Sequence, residues 1–186
     1  MLFASKIVLC GDVAVGKTSL KNNFFGRGFN SSYIATIGAD VSILRYQYKK
    51  NGSFNFKYSI WDLAGQQSWF NDVLPNFFRG AHGIIIVYDI TNRKSFDNVI
   101  NWLTGIIQHL ELNDKAIVLV GNKIDLQREI SFDDSMRLAQ KISKLFFNEK
   151  KIIPIVETSA KTGENVEKVL EEITGHLIQI DQQLKE

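Results

Sequence analysis

Short, nearly unbroken apolar runs alternate with amphipathic stretches from one end of the chain to the other. The runs at 6–10, 83–88, 116–120 and 152–156 are rich in β-branched residues and almost free of polar ones. Strands buried on both faces have this composition, because helices above and below leave them no solvent side. Between them, Phe96, Val99, Ile100, Leu103, Ile106, Ile107 and Leu110 recur at helical spacing, with Ser95 predicted as the N-cap. Val166, Val169, Leu170, Ile173, Leu177 and Ile180 draw the same stripe for a last helix, and Ser131 with Asp134 gives the S-x-x-D start of another. One section breaks the alternation. The apolar-patterned segments 41–48 and 54–61 are separated by five residues containing Asn51-Gly52, a strong hairpin signal. One antiparallel edge strand is therefore expected on an otherwise parallel sheet. With no repeat and no linker, residues 1–186 read as a single α/β domain of the doubly wound kind.

Composition narrows the function classes. At 186 residues the chain is long enough to bury a full core without disulfides or metal staples. Lys and Arg number 22 against 20 Asp and Glu, a net charge of +2, and this near-balance argues against a nucleic-acid-binding protein. Cys10 is the only cysteine and ends an apolar run, so it reads as a small buried hydrophobe in a reducing compartment. The three histidines are scattered without cysteine or paired carboxylates at ligand spacing, which speaks against a histidine metal site. No apolar run approaches the ~20 residues a membrane-spanning helix needs. A cytoplasmic chain is expected, and a monomer.

The chemistry gathers where strands end. Ligands of doubly wound sheets bind beyond the carboxyl ends of the strands, and four motifs follow predicted strands there. Gly11-Asp12-Val13-Ala14-Val15-Gly16-Lys17-Thr18 matches G-x-x-x-x-G-K-[ST] between a strand and a helix. Its backbone N–H groups can surround a phosphate, Lys17 adds a point charge, and the Thr18 hydroxyl offers a hard oxygen to Mg²⁺. Asp62-Leu63-Ala64-Gly65 can hold Mg²⁺ through water and present the Gly65 N–H to a γ-phosphate. In Asn122-Lys123-Ile124-Asp125, a carboxylate can accept from both N1–H and the 2-amino group of guanine, a donor pair adenine lacks. Thr158-Ser159-Ala160-Lys161 could close over a base.

The order and spacing of these four motifs resemble the Ras superfamily of small GTPases over essentially the whole chain. The likeness is strongest to the Rab branch, through Tyr58-Ser59-Ile60-Trp61-Asp62-Leu63-Ala64-Gly65-Gln66-Gln67, Phe77-Phe78-Arg79-Gly80-Ala81 and Ile86-Val87-Tyr88-Asp89-Ile90-Thr91-Asn92. The resemblance implies a three-layer P-loop G domain, with a mostly parallel six-stranded sheet, one antiparallel edge strand and helices on both faces. It implies bound GTP or GDP with Mg²⁺, slow hydrolysis, and effector, exchange-factor and GTPase-activating proteins that meet the two switch segments. By the same resemblance Asp12, Val13, Ala14, Val15, Gly16, Lys17, Thr18 and Ser19 line the phosphates. Phe29 packs on the guanine, Tyr33 folds over the phosphates, and Asn122, Lys123, Asp125, Ser159, Ala160 and Lys161 hold the base. Thr18, Thr36 and Asp62 serve the metal, while Lys17, Thr36 and Gln66 act in catalysis, Gln66 by orienting the attacking water. Read without the family, Phe29 and Tyr33 are loop aromatics with no role.

The chain also departs from the family pattern. Val13 and Ala14 stand where many relatives carry Ser or Gly and then Gly, and Val13 sits where a side chain crowds the glutamine and an incoming arginine. A GTP-dependent binding module with little or no hydrolysis is therefore the second reading, and a P-loop kinase or ATPase, which would have to ignore Asn122 and Asp125, the third. Val41 and Gln67-Ser68-Trp69-Phe70 replace residues usual in Rabs, so an unusual partner set is expected. Trp61 and Trp69 could belong to a partner surface, and Trp102 reads as core or boundary packing. The last eight residues hold no cysteine, so membrane contact is expected only through a tail absent from this sequence.

Overall fold

The computed structural model describes residues 2–29, 36, 38–50, 53–65 and 74–183. Six strands form one sheet: β1 (Leu2–Cys10), β2 (Ala39–Tyr48), β3 (Phe54–Leu63), β4 (Gly83–Asp89), β5 (Ala116–Asn122) and β6 (Ile155–Thr158). They lie in the order β2-β3-β1-β4-β5-β6. Every neighbouring pair is parallel except β2 with β3, which run antiparallel. The edge-strand expectation is met; the Asn51-Gly52 turn that suggested it lies outside the described residues.

Period-two alternation divides the central strands between two cores. On one face Val8, Cys10, Ile84, Ile86, Tyr88, Ile117 and Leu119 pack with α2 (Leu74–Phe78), α3 (Arg93–Ile107) and α4 (Phe132–Phe147). On the other, Ile7, Leu9, Ile85, Val87, Val118 and Val120 meet α1 (Lys17–Phe24) and α5 (Val166–Gln183). All seven residues of β4 and of β5 are buried, which explains why these strands read as continuous apolar runs.

Element ends differ from the sequence expectations in instructive ways. Asn92, not Ser95, caps α3, its side chain accepting from the Ser95 N–H. Ser95 lies one turn inside, buried, with its hydroxyl taking the Asp89 N–H at 3.0 Å. A buried hydroxyl tied to a strand end is needed inside the fold and cannot serve the open end of a helix. The last strand begins at Ile155 rather than 152, because Pro154 has no N–H to give a ladder, and Ile152 stands 84% exposed. Strands β3, β4 and β5 each run beyond the apolar segments at 54–61, 83–88 and 116–120, so Asp62, Asp89 and Asn122 are strand residues pointing at the sheet's carboxyl edge. The predicted start of α4 is present as a full capping box between Ser131 and Asp134.

Candidate functional site

The loop from Gly11 to Gly16 joins the end of β1 to the start of α1, at the middle of the sheet's carboxyl edge. Gly16 enters the helix at φ 100°, and a Cβ there would lie 2.2 Å from the Asn122 Nδ2, so glycine is required on two counts. The cap has no side-chain hydrogen bond and the first turn of α1 no acidic residue, leaving that end suited to an anion. Ala14 holds φ 63°, a left-handed backbone that disfavours a Cβ. Lys17 is buried, and its ammonium donates to the carbonyls of Gly11 at 2.9 Å and Asp12 at 2.6 Å. Burial lowers its pKa, while the nearby Asp62 carboxylate pulls the other way. From the far side, Gly65 closes on the loop so tightly that a Cβ would fall 2.4 Å from the Val13 N.

A second corner forms beneath the loop. The Thr18 hydroxyl donates to Asp62 Oδ2 at 2.6 Å, and the Thr36 hydroxyl lies 2.9 Å from Thr18 Oγ1. Since the Thr18 proton is engaged with Asp62, Thr36 is the donor of that pair. Asp62 is fully buried, yet its Oδ1 has no hydrogen-bond partner among the described residues. An orphaned carboxylate oxygen beside two hydroxyl oxygens is a hard-donor set, and it fits Mg²⁺. No cluster of three or more His, Cys, Asp or Glu competes as a metal site among the described residues.

The third corner is a lattice of side chains. Asn122 is buried; its Nδ2 donates to the Val15 carbonyl at 2.9 Å, and its Oδ1 accepts from Thr158 Oγ1 at 3.1 Å and the Ala160 N–H at 2.9 Å. Ser159 donates to Asp125 Oδ1 at 2.6 Å, and Lys161 stands 3.9 Å from Asp125 Oδ2. The Asp125 carboxylate is thus held at Oδ1 by Ser159, with its side chain still 15% exposed. Phe29 is half exposed at 46%. Tyr33 and Gln66 lie outside the described residues, as does Trp69.

The sequence motifs left several supports unseen. Asp89 pairs with Lys123 at 2.6 Å, and Asn23 donates to both Ser19 O at 3.0 Å and Ala160 O at 2.7 Å, tying α1 to the third corner. The carboxylate of Asp12 turns away from the loop to α3, accepting from Asn98 Nδ2 at 2.7 Å and Trp102 Nε1 at 2.9 Å. Trp102 is therefore core, as expected, but it also anchors the phosphate loop. Trp61 is partly buried, edge-on to Phe77 and beneath the Lys6 ammonium at 3.8 Å.

The comparison with known proteins shows the family. Residues 6–179 match the model of the Ras family. The chain belongs to the Ras family. It is 40% identical over 172 residues to the Ras-related protein Rab-4 of Dictyostelium discoideum, covering 90% of this chain and 76% of that one. It is 38% identical over 172 residues to the Ras-related protein SEC4 of Candida albicans, covering 91% and 75%. To the Ras-related protein Rab-18-B of Danio rerio it is 36% identical over 180 residues, covering 96% and 82%. This chain of the Ras family is thus a Rab-like small GTPase with the G-domain fold, a GTP-binding switch. No helix among its described residues is long and apolar enough to cross a membrane.

Proposed function

We propose that the three corners are one guanine-nucleotide site, and that this Ras-family chain hydrolyses GTP slowly there with Mg²⁺. The observation that carries this reading is the Asn122 side chain, which ties the phosphate loop at Val15 to the 158–160 turn. A ligand long enough to touch both ends must place an anion at Gly16–Thr18 and a base beside Asp125. Asp125 accepts from guanine, and Ser159 fixes which way the carboxylate faces. Lys17, now spending its protons on two loop carbonyls, exchanges them for phosphate oxygens. Thr18, Thr36 and Asp62 would hold Mg²⁺, which when bound offsets charge on the β- and γ-phosphates. Gly65 presents its N–H on the γ side, and Gln66 follows it in sequence to orient water.

Among residues 32–35, just before Thr36, there is no arginine to reach the phosphates in cis. Intrinsic turnover on the order of 10⁻⁴ per second is therefore expected, and an arginine-supplying activator would raise it by ~10³–10⁵. The kinship to Rab proteins supports a role in membrane trafficking. It also supports effector, exchange-factor and activator proteins that meet the segments around Thr36 and Gly65, with the chain acting in the cytoplasm or at a membrane surface.

One observation favours the second reading, a GTP-dependent binding module. Val13 is 50% exposed, and its backbone N is among the atoms against which Gly65, the residue before Gln66 in sequence, closes. Single-turnover GTP hydrolysis by the natural chain, Val13→Gly and Gln66→Leu separates the two. Val13→Gly is expected to be fastest and Gln66→Leu slowest. A Gln66→Leu rate equal to that of the natural chain would remove Gln66 from catalysis and put the binding module first.

A further inference from the structure

Lys21, one turn beyond Thr18 on α1, carries an ammonium that the nucleotide site does not use. It is only 2% exposed, although lysine is among the residues least often buried. Its surroundings explain the burial. In the antiparallel ladder of β2 and β3, Asp40 stands directly opposite Asp62. Like charges at facing positions destabilise a sheet, and the Lys21 Nζ bonds Asp40 Oδ2 while lying 3.4 Å from Asp62 Oδ2. The two carboxylates differ in their access to water: the Asp62 side chain is wholly buried, whereas that of Asp40 is 61% exposed. Solvent can screen Asp40, but only protein groups can offset Asp62.

We propose that Lys21 is an internal cation that partly takes the place of Mg²⁺ at Asp62, weakening the metal's hold and making nucleotide retention less dependent on it. This rests on the metal corner assigned above. The Asp62 carboxylate is the charged member of that corner, and the Lys21 ammonium already cancels part of its field at a distance where one unit charge changes an equilibrium severalfold or more. Asp40 limits the effect, because each bit of Lys21 charge drawn toward Asp40 is withheld from Asp62. Asp40 also lies four residues after Thr36, so the same ammonium ties the root of that segment to α1.

Removing Lys21 and removing its partner Asp40 give opposite predictions, which a merely structural salt bridge would not. The measurement is release of a fluorescent GDP analogue against unlabelled GDP, with free Mg²⁺ buffered from nanomolar to millimolar, read as the midpoint of the Mg²⁺ dependence. Lys21→Met should lower that midpoint about tenfold and enlarge the acceleration by EDTA. Asp40→Asn, a change at an exposed side chain, should raise the midpoint about threefold by leaving the whole ammonium charge to Asp62. If Lys21→Met does not fold, Asp40→Asn alone carries the test. Both variants moving the midpoint the same way, or Asp40→Asn leaving it within about a factor of 1.5, would overturn the proposal. Asp62→Asn tells the two assignments apart. An unchanged midpoint there would overturn the metal corner and the role of Lys21 together, whereas a weakened one with Asp40→Asn flat would overturn Lys21 alone.

Discussion

The base end and the phosphate end of the site are built on opposite plans. At the base end, polar side chains satisfy one another: Asn122 engages Val15, Thr158 and Ala160, Ser159 engages Asp125, and Asp89 engages Lys123. At the phosphate end, needs go unmet within the protein. Lys17 is folded back on its own loop, Asp62 Oδ1 has no partner among the described residues, and Ala14 holds a left-handed backbone. On the proposed reading, the end finished in the protein alone selects, and the other is completed by what binds and responds to it. A switch needs both, because a site that responded everywhere would lose its guanine preference each time the γ-phosphate left.

The comparison breaks most visibly at Asp125. Asp125→Asn should cost on the order of 10³ in GDP affinity and shift preference toward xanthine, since the amide offers a donor where guanine's amino group needs an acceptor. Competitive titration of GDP against XDP reads this, and equal GDP affinity would take Asp125 out of the base end. Next in size is Asn122→Ala, which removes three hydrogen bonds and strands buried partners. We expect a loss of ~3 kcal/mol in denaturant unfolding of the nucleotide-free protein, because the base end is structural before any ligand arrives.

Ala14 tests the strained end. Ala14→Gly relieves ~1–2 kcal/mol of left-handed backbone cost but loosens the unfolded chain by ~0.4–1 kcal/mol, for a net gain of ~0.5–1 kcal/mol. For a chain of this size that is a rise in melting temperature of ~1–4 °C; a fall would show that the loop holds no such strain. The smallest effect concerns Cys10, at the root of the phosphate loop. Burial pushes its thiol pKa up to about 12, so at pH 8 almost no thiolate forms in the folded chain. Iodoacetamide should leave Cys10 unmodified with or without nucleotide. Labelling confined to the nucleotide-free protein would mean that the phosphate end opens far more deeply than its backbone suggests.

What was legible in the chain was whatever depends on local order. Continuous apolar runs and a hairpin signal located the six strands, helical stripes the helices at 93–107 and 166–183, and a capping pattern the start of the helix at 132–147. Motifs after strands located most residues of the three corners, because parallel strands bring their carboxyl ends to one edge of the sheet, while Thr36 came only from the family resemblance. Cross-strand and helix-to-loop contacts were not legible. Nothing near Asp12 signals that its carboxylate is held by Asn98 and Trp102, and nothing near Lys21 announces that β2 and β3 will set two aspartates against each other. Ends were misjudged where a buried polar residue served the site: Asp62, Asp89 and Asn122 look like loop residues and are strand residues. Ser95 looked like a cap because its chemistry suits one, while its position is set by the neighbouring strand end.

The bond between Trp102 and Asp12 gives the molecule an optical property. The chain has three tryptophans, and this one is 1% exposed among aliphatic side chains, with its indole N–H on the second residue of the phosphate loop. Light absorbed there is emitted from a dry setting, with the indole N–H bonded to a residue of the loop. A change in that bond on loading is expected to alter the intensity of Trp102 emission while the buried ring keeps its colour blue, and a nucleotide titration followed by fluorescence checks it. Trp61, partly buried on the edge-ward strand β3, sits in a wetter setting and would contribute a redder background. A nucleotide-dependent change in that emission would make a core side chain of α3 a label-free reporter of the phosphate loop.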